Sequence, residues 1–148
     1  MHHEFGTRWN EKKAVEMLEQ FANDGHSVSQ LWLGRCYYSG RDVFRDYAKA
    51  FWWFSESADQ GNSHGQCMVD FCYSKGDGVG QDVEKAFHWF RQSAMQGNPF
   101  GEKDLGDCRR FGLGVIRDID TAMFWYRKSA EQGLGLVISC IKELGKWP

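Results

Sequence analysis

Asp82-Val-Glu-Lys-Ala-Phe-His-Trp-Phe-Arg-Gln-Ser-Ala-Met-Gln-Gly97 is the stretch that decides the fold of this 148-residue chain. Ala86, Trp89, Phe90, Ser93 and Ala94 fall at i, i+3, i+4, i+7 and i+8, one buried face of a helix. Asp82 is placed to accept from the first free backbone N–H groups, and Gln96-Gly97 to end the helix. The same text recurs as Asp46 to Gly61 and Asp118 to Gly133, with Gly25, Gly61, Gly97 and Gly133 each 36 residues apart. Asn10, Asp46, Asp82 and Asp118 keep the same interval as expected N-caps. A fixed period of this length predicts a solenoid of stacked helical units, each burying its apolar face against its neighbours.

Working outward, Ser29 to Gly40 predicts a partner helix, with Leu33, Cys36 and Tyr37 on one face and Gly40, Gly76 and Gly112 as its C-terminal glycines. Gly34 and Gly106 lie mid-helix, where glycine costs about 1 kcal/mol against alanine, so a close helix contact is expected there. Asp70 breaks that pattern, and looser packing is expected in its unit. Val43, Val79 and Val115 pin the intervening loops, and Asp42 stands where Gly78 and Gly114 ease the turn. Eight helices result, near 10–24, 28–39, 46–60, 64–75, 82–96, 100–111, 118–132 and 135–144. A tail is expected over 1–9, and residues 10–147 are expected to form one domain. Its units are a helix at 10–24, repeats at about 28–61, 64–97 and 100–133, and a closing helix at 135–144. Leu136, Val137, Ile138, Ile141, Leu144 and Trp147 make that last helix apolar, so it either closes the core or supports self-association.

The net charge of −2, with acids and bases interspersed, gives no long-range attraction toward nucleic acid or an anionic membrane. No apolar run approaches the ~20 residues of a membrane span, and Met-His-His-Glu-Phe-Gly has no leader-type apolar stretch, so a cytoplasmic setting is expected. Cys36, Cys72 and Cys108 repeat singly rather than in pairs, which predicts reduced thiols acting as small apolar core residues. Neither a metal site nor a cofactor is expected. His2 and His3 fall in the expected tail; His26, His64 and His88 form no catalytic or ligand constellation. The glycines of Gly76 to Gly80 are explained as a turn rather than a phosphate loop.

Leu-Gly-x-x-Tyr-x-x-Gly, then Asp-x-x-Lys-Ala-x-x-Trp-Phe, then Ser-Ala-x-Gln-Gly-Asn, resembles the Sel1-like repeat, a relative of the tetratricopeptide repeat. Lys85-Ala86 with Trp89, and Ser93-Ala94 with Gln96-Gly97-Asn98, carry the resemblance best. The first copy departs most, with Met17 for the Trp and Phe21 for the small residue. The resemblance spans nearly all of residues 10–144. It implies a right-handed superhelix of antiparallel helix pairs, used as a non-catalytic adaptor for a protein or peptide, with the first helix of each pair on the concave side. The paired cysteines of the family's cysteine-rich bacterial branch are missing here.

Positions fixed in register build the scaffold; those that vary are free to carry specificity. On the first helices the varying set is Leu31, Cys67 and Lys103, then Arg35, Phe71 and Asp107, then Tyr38, Ser74 and Arg110. Their i, i+4, i+7 spacing predicts one recognition stripe, anchored by Arg35, Tyr38, Phe71 and Arg110, because aromatics and arginines carry much interface energy. Trp52, His88 and Phe124 on the second helices predict a separate apolar ridge. The alternative assignment is a regulatory or targeting part of a larger enzyme or receptor complex.

Overall fold

The computed structural model describes residues 2–145, with side-chain surroundings from residue 11 onward. Eight helices follow one another: α1 (His2–Asn23), α2 (Ser27–Ser39), α3 (Tyr47–Asp59), α4 (Ser63–Lys75), α5 (Val83–Met95), α6 (Pro99–Phe111), α7 (Ile119–Glu131) and α8 (Leu136–Glu143). The caps sit where the repeat predicts. Asp46, Asp82 and Asp118 are extended N-caps whose side chains accept from the backbone N–H of Lys49, Lys85 and Thr121. Gly40, Gly76 and Gly112 end α2, α4 and α6 in the left-handed conformation. Asn10 is a correction: α1 begins at His2, so Asn10 lies inside a helix rather than capping it, and the segment expected as a tail is helical. No proline interrupts residues 2–23 to stop the helix there.

Packing runs in sequence order. α2 lies on α3, α4 on α5 and α6 on α7; α3 meets α4 and α5 meets α6, while α1 and α8 cover the two ends. Four small clusters string along the chain instead of one central core. They centre on Val15, Ala22 and Leu33; on Phe54, Val69 and Cys72; on Phe90, Leu105 and Cys108; and on Tyr126, Val137 and Ile141.

The mid-helix glycines have the expected reason. A Cβ on Gly34 would stand 2.6 Å from two ring atoms of Phe54, and one on Gly106 would stand 2.5 Å from Cε1 of Tyr126. Each glycine is the hollow that receives the paired helix's ring. Asp70 holds the same place in the second unit and does not loosen it: the residue is buried, though Phe90 opposite is slightly more exposed than Phe54 or Tyr126.

The repeated polar residues form a ladder inside each pair. Ser57, Ser93 and Ser129 donate to the carbonyls of Ser27, Ser63 and Pro99 at 2.8, 2.9 and 2.7 Å. Gln60 donates to Gln30 at 2.7 Å, Gln96 to Gln66 at 2.8 Å, and Gln132 to Glu102. These serines are fully buried, so their hydroxyls need the partners they have. All five cysteines are free thiols; Cys72 and Cys108 are buried in the core, whereas Cys36, Cys67 and Cys140 are half-buried. Val137 and Ile141 face inward, so α8 closes the last cluster and leaves Leu136 exposed; Trp147 lies outside the described residues.

Candidate partner-binding groove

The first-type helices α2, α4, α6 and α8 share one side of the molecule, and α2 touches α4 directly. Along that side runs an open groove of about 340 Å³, lined by Arg35 from α2; His64, Cys67, Met68 and Phe71 from α4; Phe100, Lys103 and Asp104 from α6; and Leu136 of α8. Part of its apolar surface is bare, with Phe71, Phe100 and Leu136 at 37%, 47% and 51% exposure.

The expected stripe is only partly what the structure assembles. Arg35, Phe71 and Lys103 line the groove as expected, with Cys67 beside them. Leu31 is a correction: it is 5% exposed and packs with Phe54 and Val69. Tyr38 donates to Asp77 Oδ2 at 2.7 Å and its ring packs near Tyr47, Phe54 and Phe71, so it ties one repeat to the next. Burial, then the hydrogen bond to Asp77, raises the pKa of its phenol. Arg110 pairs with Glu143 at 2.9 Å, joining α6 to α8. Asp107 accepts from Tyr126 at 2.5 Å and from Lys103 at 2.6 Å. Ser74 is half-buried, and its carbonyl accepts from Gln81 at 2.8 Å. Tyr38, Ser74, Asp107 and Arg110 therefore flank or brace the groove and do not line it.

Sequence reasoning left Phe100, His64, Met68 and Asp104 out of the stripe, and named Leu136 only as part of the apolar last helix. The stripe that faces outward runs through 28, 32 and 35 and their counterparts, one turn nearer the helix start than the stripe through 31, 35 and 38. Helical side chains lean toward the N-terminus, so the surface over a given turn belongs to residues of the following one. Val28, Phe100 and Leu136 are apolar first-turn residues in register, and that was the available signal.

The charges in the groove are unevenly satisfied. The Arg35 guanidinium lies 4.9 Å over the Trp32 ring and has no acid partner among the described residues. Lys103 is 2.6 Å from Asp107 Oδ2 and 3.9 Å from Asp104 Oδ1; burial opposes its charge, but the two carboxylates outweigh burial and raise its pKa. Asp104 itself is pushed up to about 6, first by burial and then by Asp107, with Lys103 opposing. Behind it, Asp70 is pushed up to about 10 by burial and by the adjacent Asp104, to which it hydrogen-bonds. Its Oδ2 is buried without a partner. Burial and mutual repulsion thus disfavour ionising both members of this pair at once. Burial pushes the Cys67 thiol up to about 12, and its sulfur sits 2.9 Å from Ser93 Oγ, an unreactive setting.

The ridge on the second helices stands exposed, with Trp52 at 53% and Phe124 at 55%. Trp52, His88 and Phe124 each meet the following tryptophan edge-on, with ring centres 4.5, 5.8 and 5.2 Å apart. Lys128 lies over the Phe124 ring, and Gln92 reaches His88 at 2.7 Å. Among the described residues no cluster of three or more His, Cys, Asp or Glu is placed to hold a metal ion. None of their helices is long and apolar enough to cross a membrane.

Comparison with known proteins agrees with this architecture. The Sel1 repeat model matches residues 1–26, 27–62, 65–98 and 100–134, and the chain belongs to the Sel1 repeat family. Its fold is similar to that of a Sel1 repeat protein from Oxalobacter formigenes (31% identity, TM-score 0.79), covering 84% of this chain and 36% of that one. A protective antigen of uropathogenic Escherichia coli with an SLR fold is similar at 28% identity and TM-score 0.67, covering 88% of this chain and 36% of that one. Cysteine-rich protein B of Helicobacter pylori shares the fold at 18% identity and TM-score 0.71, with 87% and 96% covered. The chain therefore spans about a third of the length of the first two. No curated protein matches it significantly.

Proposed function

We propose that this unit binds a protein or peptide segment in the groove of its first helices and performs no chemistry of its own. Sel1 repeats are generally protein–protein interaction modules, and typically non-catalytic scaffolds. The observation that carries the reading is the groove itself: α4, α6 and α8 present exposed apolar side chains beside an unpaired arginine on α2. Contiguous exposed apolar surface of this kind marks contact sites in otherwise polar proteins. A second reading, that the unit is a regulatory or targeting part of a larger assembly, is favoured by the greater length of the two bacterial relatives.

Selection of peptides from a random displayed library on the immobilised chain tests the groove. Phe71→Ala and Phe100→Ala should each weaken the selected peptides at least tenfold, about 1.4 kcal/mol, while Trp52→Ala should leave them unchanged. Peptides that bind both groove variants as well as the parent would exclude the groove. A cytoplasmic setting belongs to the same proposal and is supported by five unpaired thiols. Alkylation of source cells lysed directly into denaturant should trap all five as free thiols; a disulfide-linked form would place the chain elsewhere.

A further inference from the structure

We infer that the groove takes a polypeptide segment carrying a bulky apolar residue between an acidic and a basic side chain, the acid directed to Arg35 on α2 and the base to Asp104 on α6. This rests on the groove being the binding site and adds what it selects. The apolar middle comes from Met68 and Phe71 of α4, Phe100 of α6 and Leu136 of α8. Burying one large side chain there contributes about 1.5–3 kcal/mol.

The two ends differ in sign, and each has charge left over. At the α2 end, Arg35 is half-buried and its guanidinium lies 4.9 Å over the Trp32 ring. No carboxylate of the described residues engages its guanidinium, whose planar fork suits an incoming carboxylate. At the α6 end three aspartates share one lysine. Lys103 commits itself to Asp107 at 2.6 Å and stands off from Asp104 at 3.9 Å. Asp70, behind Asp104, supplies no cation, and its Oδ2 is buried without a partner. Asp104, on the groove wall with a side chain 32% exposed, is thus a carboxylate whose charge its neighbours only partly offset. A ligand cation restores the balance there, as a ligand carboxylate does at Arg35. Opposite charges at the two ends also give the bound segment a direction.

The same peptide selection decides this, with readouts that separate it from the groove reading. Selected peptides should carry an acid and a base on opposite sides of an aromatic or large aliphatic residue, in one preferred order. Arg35→Glu should cost the best peptide at least tenfold, and nothing once its acid is replaced by alanine. Asp104→Asn should behave likewise toward the peptide's base, a paired dependence that general destabilisation does not produce. Circular dichroism confirms that both variants remain folded. Peptides lost on Phe71→Ala yet indifferent to both charge variants would overturn the inference and leave the groove reading standing. Peptides indifferent to Phe71→Ala and Phe100→Ala would overturn both. A dimer that dissociates on Phe71→Ala would assign the groove to a second copy of the chain and overturn the inference as well.

Discussion

Glu102 shows how one atom alters a repeated design. Gln30 accepts from Gln60 through its carbonyl oxygen and donates through its amide to the Ala22 carbonyl at 3.1 Å, linking α1, α2 and α3. Glu102 occupies the same register and accepts from Gln132, but its fully buried Oε2 has no partner. A carboxylate cannot supply the donor that the glutamine provides; only its protonated form can. Burial accordingly raises its pKa, with Lys128 partly opposing. Because the folded-state pKa is raised, the favourable contribution is complete below the ordinary glutamate pKa and declines as pH rises through the folded value. Glu102→Gln should therefore stabilise the protein by about 1–2 kcal/mol at pH 8, the typical cost of an unsatisfied buried group, and by almost nothing below pH 4. Urea denaturation at both pH values checks this, and an equal gain at both would refute it. Gly34→Ala and Gly106→Ala should each cost about 1–3 kcal/mol, since the added methyl meets the ring of Phe54 or Tyr126. A companion Phe54→Leu should recover part of the Gly34→Ala loss in thermal melts.

Helices and loops were the most legible part of the chain, because their signals are local. Asp82 and Gly97 announce one helix's ends within sixteen letters, and the period transfers that reading to its neighbours. Where the copies differ, the loops differ in strength. A Cβ on Gly78 would lie 2.1 Å from the Tyr47 carbonyl oxygen, whereas one on Gly114 would meet only Val83 at 3.7 Å. Both have positive φ, 73° and 70°, so alanine at either carries a similar backbone cost of about 1 kcal/mol. Gly78→Ala should cost clearly more, because the α4–α5 loop must then lift off the start of α3; equal melting temperatures for the two variants would contradict the contact. Leu31 marks where legibility stopped. Its position in the period is plain, but a rotation of α2 by part of a turn decides whether it faces the groove or Phe54. That rotation is set by packing between repeats, which one sequence read locally does not contain. Asp70 eluded the reading for a related reason: its companion Asp104 comes from the next unit.

Across the whole molecule, four small clusters in a row mean that each repeat depends chiefly on its neighbours, so stability should vary along the chain. Hydrogen exchange should show the slowest amides in α3 to α6 and the fastest in α8, which has a single packing partner, α7, among the principal helix contacts. Uniform protection would argue for one cooperative block. The joints between successive first helices also differ. The first is bridged by Tyr38 and Asp77, and the third by Arg110 and Glu143. In the second, Ser74 stands in the tyrosine's place and Leu113 in the aspartate's, so that bridge has no counterpart. That joint, where the groove lies, is tied instead near the helix starts, where Asn98 reaches Ser63 Oγ at 3.1 Å and His64 Nδ1 at 3.2 Å. Viewed as a hinge, it is pinned at the start of α6 and lacks the tie its neighbours carry near the helix ends, so Ser74→Tyr with Leu113→Asp should add that tie and narrow the range of segments the groove accepts.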